Sequence, residues 1–85
     1  MREPGPMREL VEFLVRALVA DPDAVRVEAI PEGAQDIVLE VHVADDDLGR
    51  VIGREGRVAN AIRTIAKASA SADDGRVMVE IVEDD

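Results

Sequence analysis

Two glycines that stand three residues apart, Gly53 and Gly56, interrupt a stretch with a helical pattern. The apolar residues of segment 48–52 have helical spacing, and residues 57–70 sort into a polar arc and an apolar side at 100° per residue. Glycine adopts backbone angles that other residues avoid, and it puts no side chain between the backbone and a ligand. The sequence therefore predicts two helices joined by a tight, open loop whose second helix presents its N-terminus to anions.

The rest of the chain supplies one more helix and three strands. An amphipathic helix is predicted from Met7 to about Ala20, with Phe13 in the core. Residues 24–30 and 37–43 are predicted to pair as an antiparallel hairpin, and residues 76–82 form a last strand. The order α-β-β-α-α-β predicts an α+β fold, a three-stranded sheet covered on one face by helices.

Length and composition favour one small domain. Eighty-five residues suffice for a single domain, which we expect to span residues 7–83. Residues 1–6 are predicted to be a disordered lead-in, because Pro4, Gly5 and Pro6 break regular structure, and residues 84–85 an acidic tail. No apolar run is long enough for a membrane span or a secretory signal, so a cytoplasmic protein is the expectation.

The inventory of reactive side chains argues against an enzyme. The chain has no cysteine and one histidine, and no serine stands near a base, so thiol, zinc-cysteine and serine nucleophile chemistry are excluded. Glycine loops of the dinucleotide-binding or P-loop type are absent. The prediction is no catalytic residue, no metal and no cofactor. With Phe13 as the only aromatic residue, nucleic-acid modules that stack bases on aromatic side chains are also disfavoured.

Charge is distributed unevenly along the chain. The net charge is −9, which argues against a protein held to nucleic acid by general basicity. Residues 48–70, however, carry five basic side chains against Glu55 alone, a net charge of +4, while the other 62 residues carry five arginines against 18 acids, a net charge of −13. The positive segment contains both glycines, so the loop is the place where an anion is expected to bind.

Acidic residues and the histidine have plain structural interpretations. Asp45 or Asp46 is expected to cap the helix that precedes the loop, which explains the run of three aspartates better than a metal site does. Arg50 could pair with Asp46 or Asp47 instead of meeting a phosphate. His42 is predicted to be a half-exposed sheet residue, and a single histidine is not expected to form a zinc site.

The segment Val51-Ile52-Gly53-Arg54-Glu55-Gly56-Arg57 resembles the signature of the KH domain, in which an Ile-Gly-x-x-Gly turn between two helices clamps about four single-stranded nucleotides. The element order resembles the bacterial type II arrangement. The whole chain resembles the small single-KH RNA-binding proteins of the KhpA type. Residues 46–57 and 61–65 are close to the sequence pattern of that group. The competing interpretations are a helix–helix turn with a glycine cap and a helix-hairpin-helix DNA motif, which does not account for three strands.

The resemblance implies an RNA site on this segment. Gly53 and Gly56 would shape the loop, and Arg54 with the backbone N–H groups near Gly56 and Arg57 would hold phosphate. Arg63 and Lys67 would add attraction, although a solvated helix face explains them equally well. Val51 and Ile52 would help to line a groove. The predicted RNA-binding residues are Val51, Ile52, Gly53, Arg54, Glu55, Gly56, Arg57, Arg63 and Lys67.

Three residues depart from the family pattern. Glu55 places a negative charge in the loop, Ala59 is small where a larger aliphatic residue is usual, and Asn60 stands where a basic residue is common. The resemblance implies an RNA chaperone or post-transcriptional regulator of bacteria, linked to cell elongation and division, which self-associates or pairs with a second KH-domain protein. The acidic balance keeps an alternative open: an assembly module that retains the KH fold but has little RNA affinity of its own.

Overall fold

The computed structural model describes residues 5–70 and 75–83, and within these ranges it has three helices and one three-stranded sheet. The predicted α+β fold and element order are confirmed. Residues 1–4, residues 71–74 and the acidic tail at residues 84–85 lie outside the described residues. No helix in the described ranges is long and apolar enough to cross a membrane. The elements are α1 (Gly5–Leu18), β1 (Arg26–Glu32), β2 (Asp36–His42), α2 (Leu48–Ile52), α3 (Arg57–Ser69) and β3 (Val77–Ile81).

The sheet has the order β1-β2-β3 and mixed strand directions. The predicted antiparallel hairpin is confirmed, with Arg26 opposite His42 and Glu32 opposite Asp36. β2 and β3 pair in parallel, because α2 and α3 carry the chain back to the same end of the sheet. The loop between the glycines is therefore part of the crossover connection.

Helix α1 begins at Gly5 and ends at Leu18, two residues earlier at each end than the pattern predicts. The prediction of a disordered lead-in is therefore wrong for Gly5 and Pro6, which are helical. Pro6 is accommodated because the N–H groups of the first helical turn have no intrahelical acceptor. The buried stripe of α1 is Met7, Val11 and Val15. The prediction that Phe13 is a core residue is wrong: it is 70% exposed. A residue two positions from Val11 points about 200° away from it around the helix, and therefore away from the sheet.

One face of the sheet carries the core. α1 packs on β1 and α3 packs on β3, and Leu39, Val41 and Val79 lie with them in one buried apolar cluster. Side chains alternate across a strand, so the neighbours of these residues point to the other face, which we call the outer face. Val38 lies there, buried but outside the core cluster, between its register partners Ile30 and Met78.

The carboxylate of Asp47 ties α2 to the end of α1. It is 1% exposed and accepts hydrogen bonds from the backbone N–H groups of Ala20 (3.0 Å) and Asp21 (3.1 Å). Arg50 donates to it at 2.7 Å, so of the two predicted partners of Arg50 the structure selects Asp47. The prediction of a capping role for Asp45 or Asp46 is wrong, because these residues form a helical turn with Asp47 and make no side-chain cap.

Hydrogen bonding sets the ionisation of Asp47. The bond from the Ala20 N–H lowers the pKa of the Asp47 carboxyl below its ordinary 3.8, opposed by desolvation and assisted by the Asp21 N–H and the Arg50 guanidinium. The carboxylate therefore stays charged at neutral pH and holds the segment that leads into the loop.

Candidate nucleic-acid interface

The loop between α2 and α3 has three residues with positive φ. Gly53 has φ 76° and ψ 174°, Gly56 has φ 74°, and Glu55 between them has φ 57°. The conformation of Gly53 is one that only glycine adopts readily. A side chain there would also meet Val58, whose Cβ and backbone N lie 2.8 Å and 2.9 Å from the place of an added Cβ. Gly53 is therefore required by both backbone angle and space, and its bare backbone leaves the start of α3 uncovered.

Turn hydrogen bonds use two of the amides expected to hold phosphate. The N–H of Gly56 donates to the carbonyl of Gly53 at 3.2 Å, and the N–H of Arg57 donates to the carbonyl of Arg54. These two groups are therefore committed to the loop itself. Helix geometry leaves the next amides of the first turn of α3, beginning with Val58, without an intrahelical acceptor. The donors that remain at this end are these amides and the arginine side chains.

The charged side chains of the loop divide into one pair and one unpaired cation. Arg57 contacts Glu55 at 3.2 Å, and both side chains are more than 70% exposed. Arg54 is exposed and makes no ion pair within the part of the chain that the structure describes. The negative charge of Glu55 is thus paired with Arg57. Arg54 is the cation that can approach a phosphate without first breaking an ion pair.

Arg63 and Lys67 differ in their surroundings. The Arg63 guanidinium donates from Nε to the carbonyl of Val79 on β3 at 3.1 Å and from a terminal nitrogen to Asn60 at 3.0 Å. It braces α3 against the edge strand, which gives it a structural role. Lys67, one turn further along α3, is exposed. Of the two predicted attractive charges, Lys67 is the one that solvent and ligands can reach freely.

The predicted groove wall is wrong for Val51. This residue is 0% exposed and belongs to the core cluster, because the short helix α2 packs against α3 and α1. Leu39 and Val41 on β2 are also fully buried. Ile52 is half-buried and remains at the surface next to Gly53.

An apolar groove that the sequence pattern did not indicate lies between α1 and α3. Its volume is about 380 Å³. Leu18 and Ile65 on its walls are 41% and 40% exposed, which is high for large aliphatic side chains. Arg57, the first residue of α3, also lines it, so the groove reaches the loop. Its other lining residues include Leu14, Ala17, Val58 and Ala61.

Comparison with known proteins agrees with this arrangement. The family model described as "KhpA/KhpB, KH domain" matches residues 8–81. A protein named "RNA-binding protein KhpA" from Caldanaerobacter subterraneus is 51% identical over 76 residues, which are 89% of this chain and all of the relative. Proteins of the same name from Clostridium acetobutylicum (47% identical, with the same coverage) and Borreliella burgdorferi (43% identical over 98% of this chain and all of the relative) are also similar. No solved structure matches the chain.

Proposed function

Because the chain belongs to the KH-domain family of KhpA and KhpB, we propose that it binds single-stranded RNA through the loop at residues 53–56. The relatives are named RNA-binding proteins, and the family is not one of enzymes. The observation that carries the proposal is Gly53: its positive φ and the proximity of Val58 exclude a side chain where a ligand would approach α3. Such a bare backbone at a helix N-terminus suits a phosphate.

Within the loop, Arg54 is the primary phosphate contact, because it is exposed and has no ion pair to give up within the described residues. Arg57 also binds a phosphate when that phosphate displaces the Glu55 carboxylate from its ion pair with Arg57. Lys67 adds longer-range attraction. Arg63 supports the site by bracing α3. Ile52 offers an apolar surface to a base. Base contacts are therefore hydrogen-bonded and apolar rather than stacked on aromatic rings.

Affinity for RNA is expected to be modest and dependent on salt. With two or three phosphates contacted, log K falls by roughly 1.4–2.1 per tenfold rise in salt, at about 0.7 per contact for single strands. The acidic remainder of the chain opposes binding further. By the family resemblance we extend the proposal to an RNA chaperone or post-transcriptional regulator that acts in the bacterial cytoplasm and is linked to cell elongation and division.

Charge changes in the loop should move RNA affinity in opposite directions. Arg54→Asp is expected to weaken binding of a short mixed-sequence RNA about tenfold, the effect of losing one charged contact, and to lower the salt slope by about 0.7. Glu55→Lys should strengthen binding a few-fold, because it removes a repulsive charge and releases Arg57. Fluorescence anisotropy at several salt concentrations measures both effects.

The matched control is Glu32→Lys, which makes the same charge change at the last residue of β1. Glu32 lies at the hairpin between β1 and β2, whereas the glycine loop follows the other end of β2. It should leave affinity nearly unchanged. Equal gains from Glu32→Lys and Glu55→Lys would show that only net charge matters and would refute the loop as the binding site.

The exposed apolar surface favours a second function, assembly with another KH domain or a second copy of this chain. Phe13, the only aromatic residue, is 70% exposed on α1, next in sequence to Leu14 of the groove. Aromatic side chains exposed beside apolar grooves are typical of protein interfaces. Assembly would also compensate for weak RNA binding by each domain, because two linked sites act at high effective concentration.

Removal of the aromatic ring tests the assembly function. Phe13→Ser should raise the dissociation constant of the assembly by tenfold or more, because buried aromatic residues are worth about 2 kcal/mol or more at interfaces. Lys67→Ser, also on an exposed helix surface, is the control. Size-exclusion chromatography with light scattering provides the measurement. A strict monomer at high concentration that also captures no second KH-domain protein would eliminate this function.

A further inference from the structure

Three side chains on the outer face of the sheet, none of them part of the loop, lie close together. His42 and Glu40 stand two residues apart on β2, so both point to this face. Glu28 on β1 is the register partner of Glu40. One nitrogen or oxygen atom from each of the three lies within 4.8 Å of the other two. The fold therefore brings an imidazole and two carboxylates from two strands to one point.

The distances within this cluster match those of a metal site. His42 Nε2 lies 3.5 Å from Glu28 Oε1 and 3.6 Å from Glu40 Oε1. Metal–ligand bonds of about 2.0–2.2 Å in tetrahedral geometry place neighbouring ligand atoms roughly 3.3–3.6 Å apart. These two separations fall at this spacing. The antiparallel pairing of β1 with β2 sets the backbone positions of all three residues without a metal.

The charges of the outer face also favour a cation. Glu28 and Glu40 are directly opposed on antiparallel strands, and Glu80 on β3 is the register partner of Glu40 on its other side. Like charges directly opposed across a sheet are destabilising. Arg26 offsets part of this charge through Glu28 Oε2 at 3.5 Å, which leaves Glu28 Oε1 for the side of His42. A divalent ion at the cluster would neutralise the remainder.

The sequence pattern predicted no metal and no zinc site at the single histidine, but the fold adds two carboxylates to it. We propose that Glu28, Glu40 and His42 form a binding site for a divalent transition-metal ion, with Zn²⁺ as the expected class. One imidazole nitrogen and two carboxylate oxygens are ligands that Zn²⁺ accepts, with water in the fourth position, whereas Mg²⁺ and Ca²⁺ prefer oxygen ligands alone. The ion would link β1 to β2, so its binding stabilises the hairpin and raises the melting temperature. Because the loop supplies no ligand, the site is independent of RNA binding.

Calorimetry and thermal melting of the EDTA-treated protein with ZnCl₂ test this site. We expect saturable binding of one Zn²⁺ per chain, a rise in melting temperature, and NMR shifts at residues 28, 40 and 42. His42→Gln should weaken binding at least tenfold, since even groups that only support a ligand contribute about 10–100-fold. Glu32→Gln removes an exposed carboxylate from the same strand and should change nothing.

Two further arms keep the test decisive. Glu28→Gln, at a position whose side chain is 48% exposed, replaces His42→Gln if that variant loses its fold. MgCl₂ at the same concentrations should give no saturable binding at the cluster. Zn²⁺ binding that is equally tight in the His42 or Glu28 variant, or that spreads without saturation over the acidic surface, would overturn the proposal.

Discussion

Replacing Gly53 by alanine is expected to lower the free energy of unfolding by roughly 3 kcal/mol, as the sum of backbone strain and steric overlap. The strain arises because φ 76° and ψ 174° suit only glycine. The overlap arises because the new Cβ would lie 2.8 Å from Val58 Cβ and 2.9 Å from Val58 N, with the Val58 Cγ2 methyl closer still. Since small domains are stable by about 5–15 kcal/mol, this one methyl group would remove a large share of the stability.

Gly56→Ala is the matched comparison within the same loop. Its φ is also positive, at 74°, but an added Cβ would meet nothing within 4 Å. We expect a loss of about 1–2 kcal/mol from the left-handed backbone alone. Urea denaturation of both variants measures the difference at constant m value. If Gly53→Ala cost no more than Gly56→Ala, the close approach of Gly53 to Val58 would not be a constraint on the loop.

Loss of the Asp47 carboxylate should have the second large effect. Asp47→Ala removes the carboxylate that accepts hydrogen bonds from the N–H groups of Ala20 and Asp21, and it releases Arg50. Hydrogen bonds to a charged group contribute more than neutral ones, and this carboxylate is 1% exposed, so we expect the melting temperature to fall by at least about 5 °C. Asp45→Ala, at an exposed position in the same acidic run, is the control and should melt close to the wild-type protein.

The contribution of Asp47 should depend on pH. Because its pKa is lowered in the folded protein, chiefly by the Ala20 N–H, the carboxylate stabilises the fold fully above about pH 3.8 and ceases to do so as pH falls through the folded-state pKa. The difference in melting temperature between wild type and Asp47→Asn should therefore be largest near neutral pH and shrink in acid. A difference that is constant from pH 7 to strong acid would contradict the assigned role of the carboxylate.

Local patterns predicted the elements well because each element obeys its own period. The alternation of residues 37–43 placed β2 within one residue of its observed bounds, and the arc of α3 predicted its start at Arg57. The two glycines marked the loop because positive φ angles there admit few other residues. These features depend on residues that are close in sequence, so they can be predicted without knowledge of the fold.

Long-range contacts account for what the pattern missed. Asp47 and Ala20 are 27 residues apart, and no local rule indicates that the third aspartate rather than the first two is buried. Phe13 looked like a core residue by type alone, but the helix face that meets the sheet is set by Val11 and Val15. Two other features likewise form only when two elements come together. They are the groove between α1 and α3 and the cluster of Glu28, Glu40 and His42.

The measurement that tests the central claim most directly is an amide NMR titration of the wild-type protein and of Arg54→Asp with a short single-stranded RNA at low salt. We predict shifts concentrated at residues 52–58 in the wild type, with weaker shifts at Lys67, and their loss in the variant while the rest of the spectrum is unchanged. Shifts of equal size in both proteins, shifts confined to other surfaces, or none at high RNA concentration would contradict the assignment of the glycine loop as the RNA-binding site.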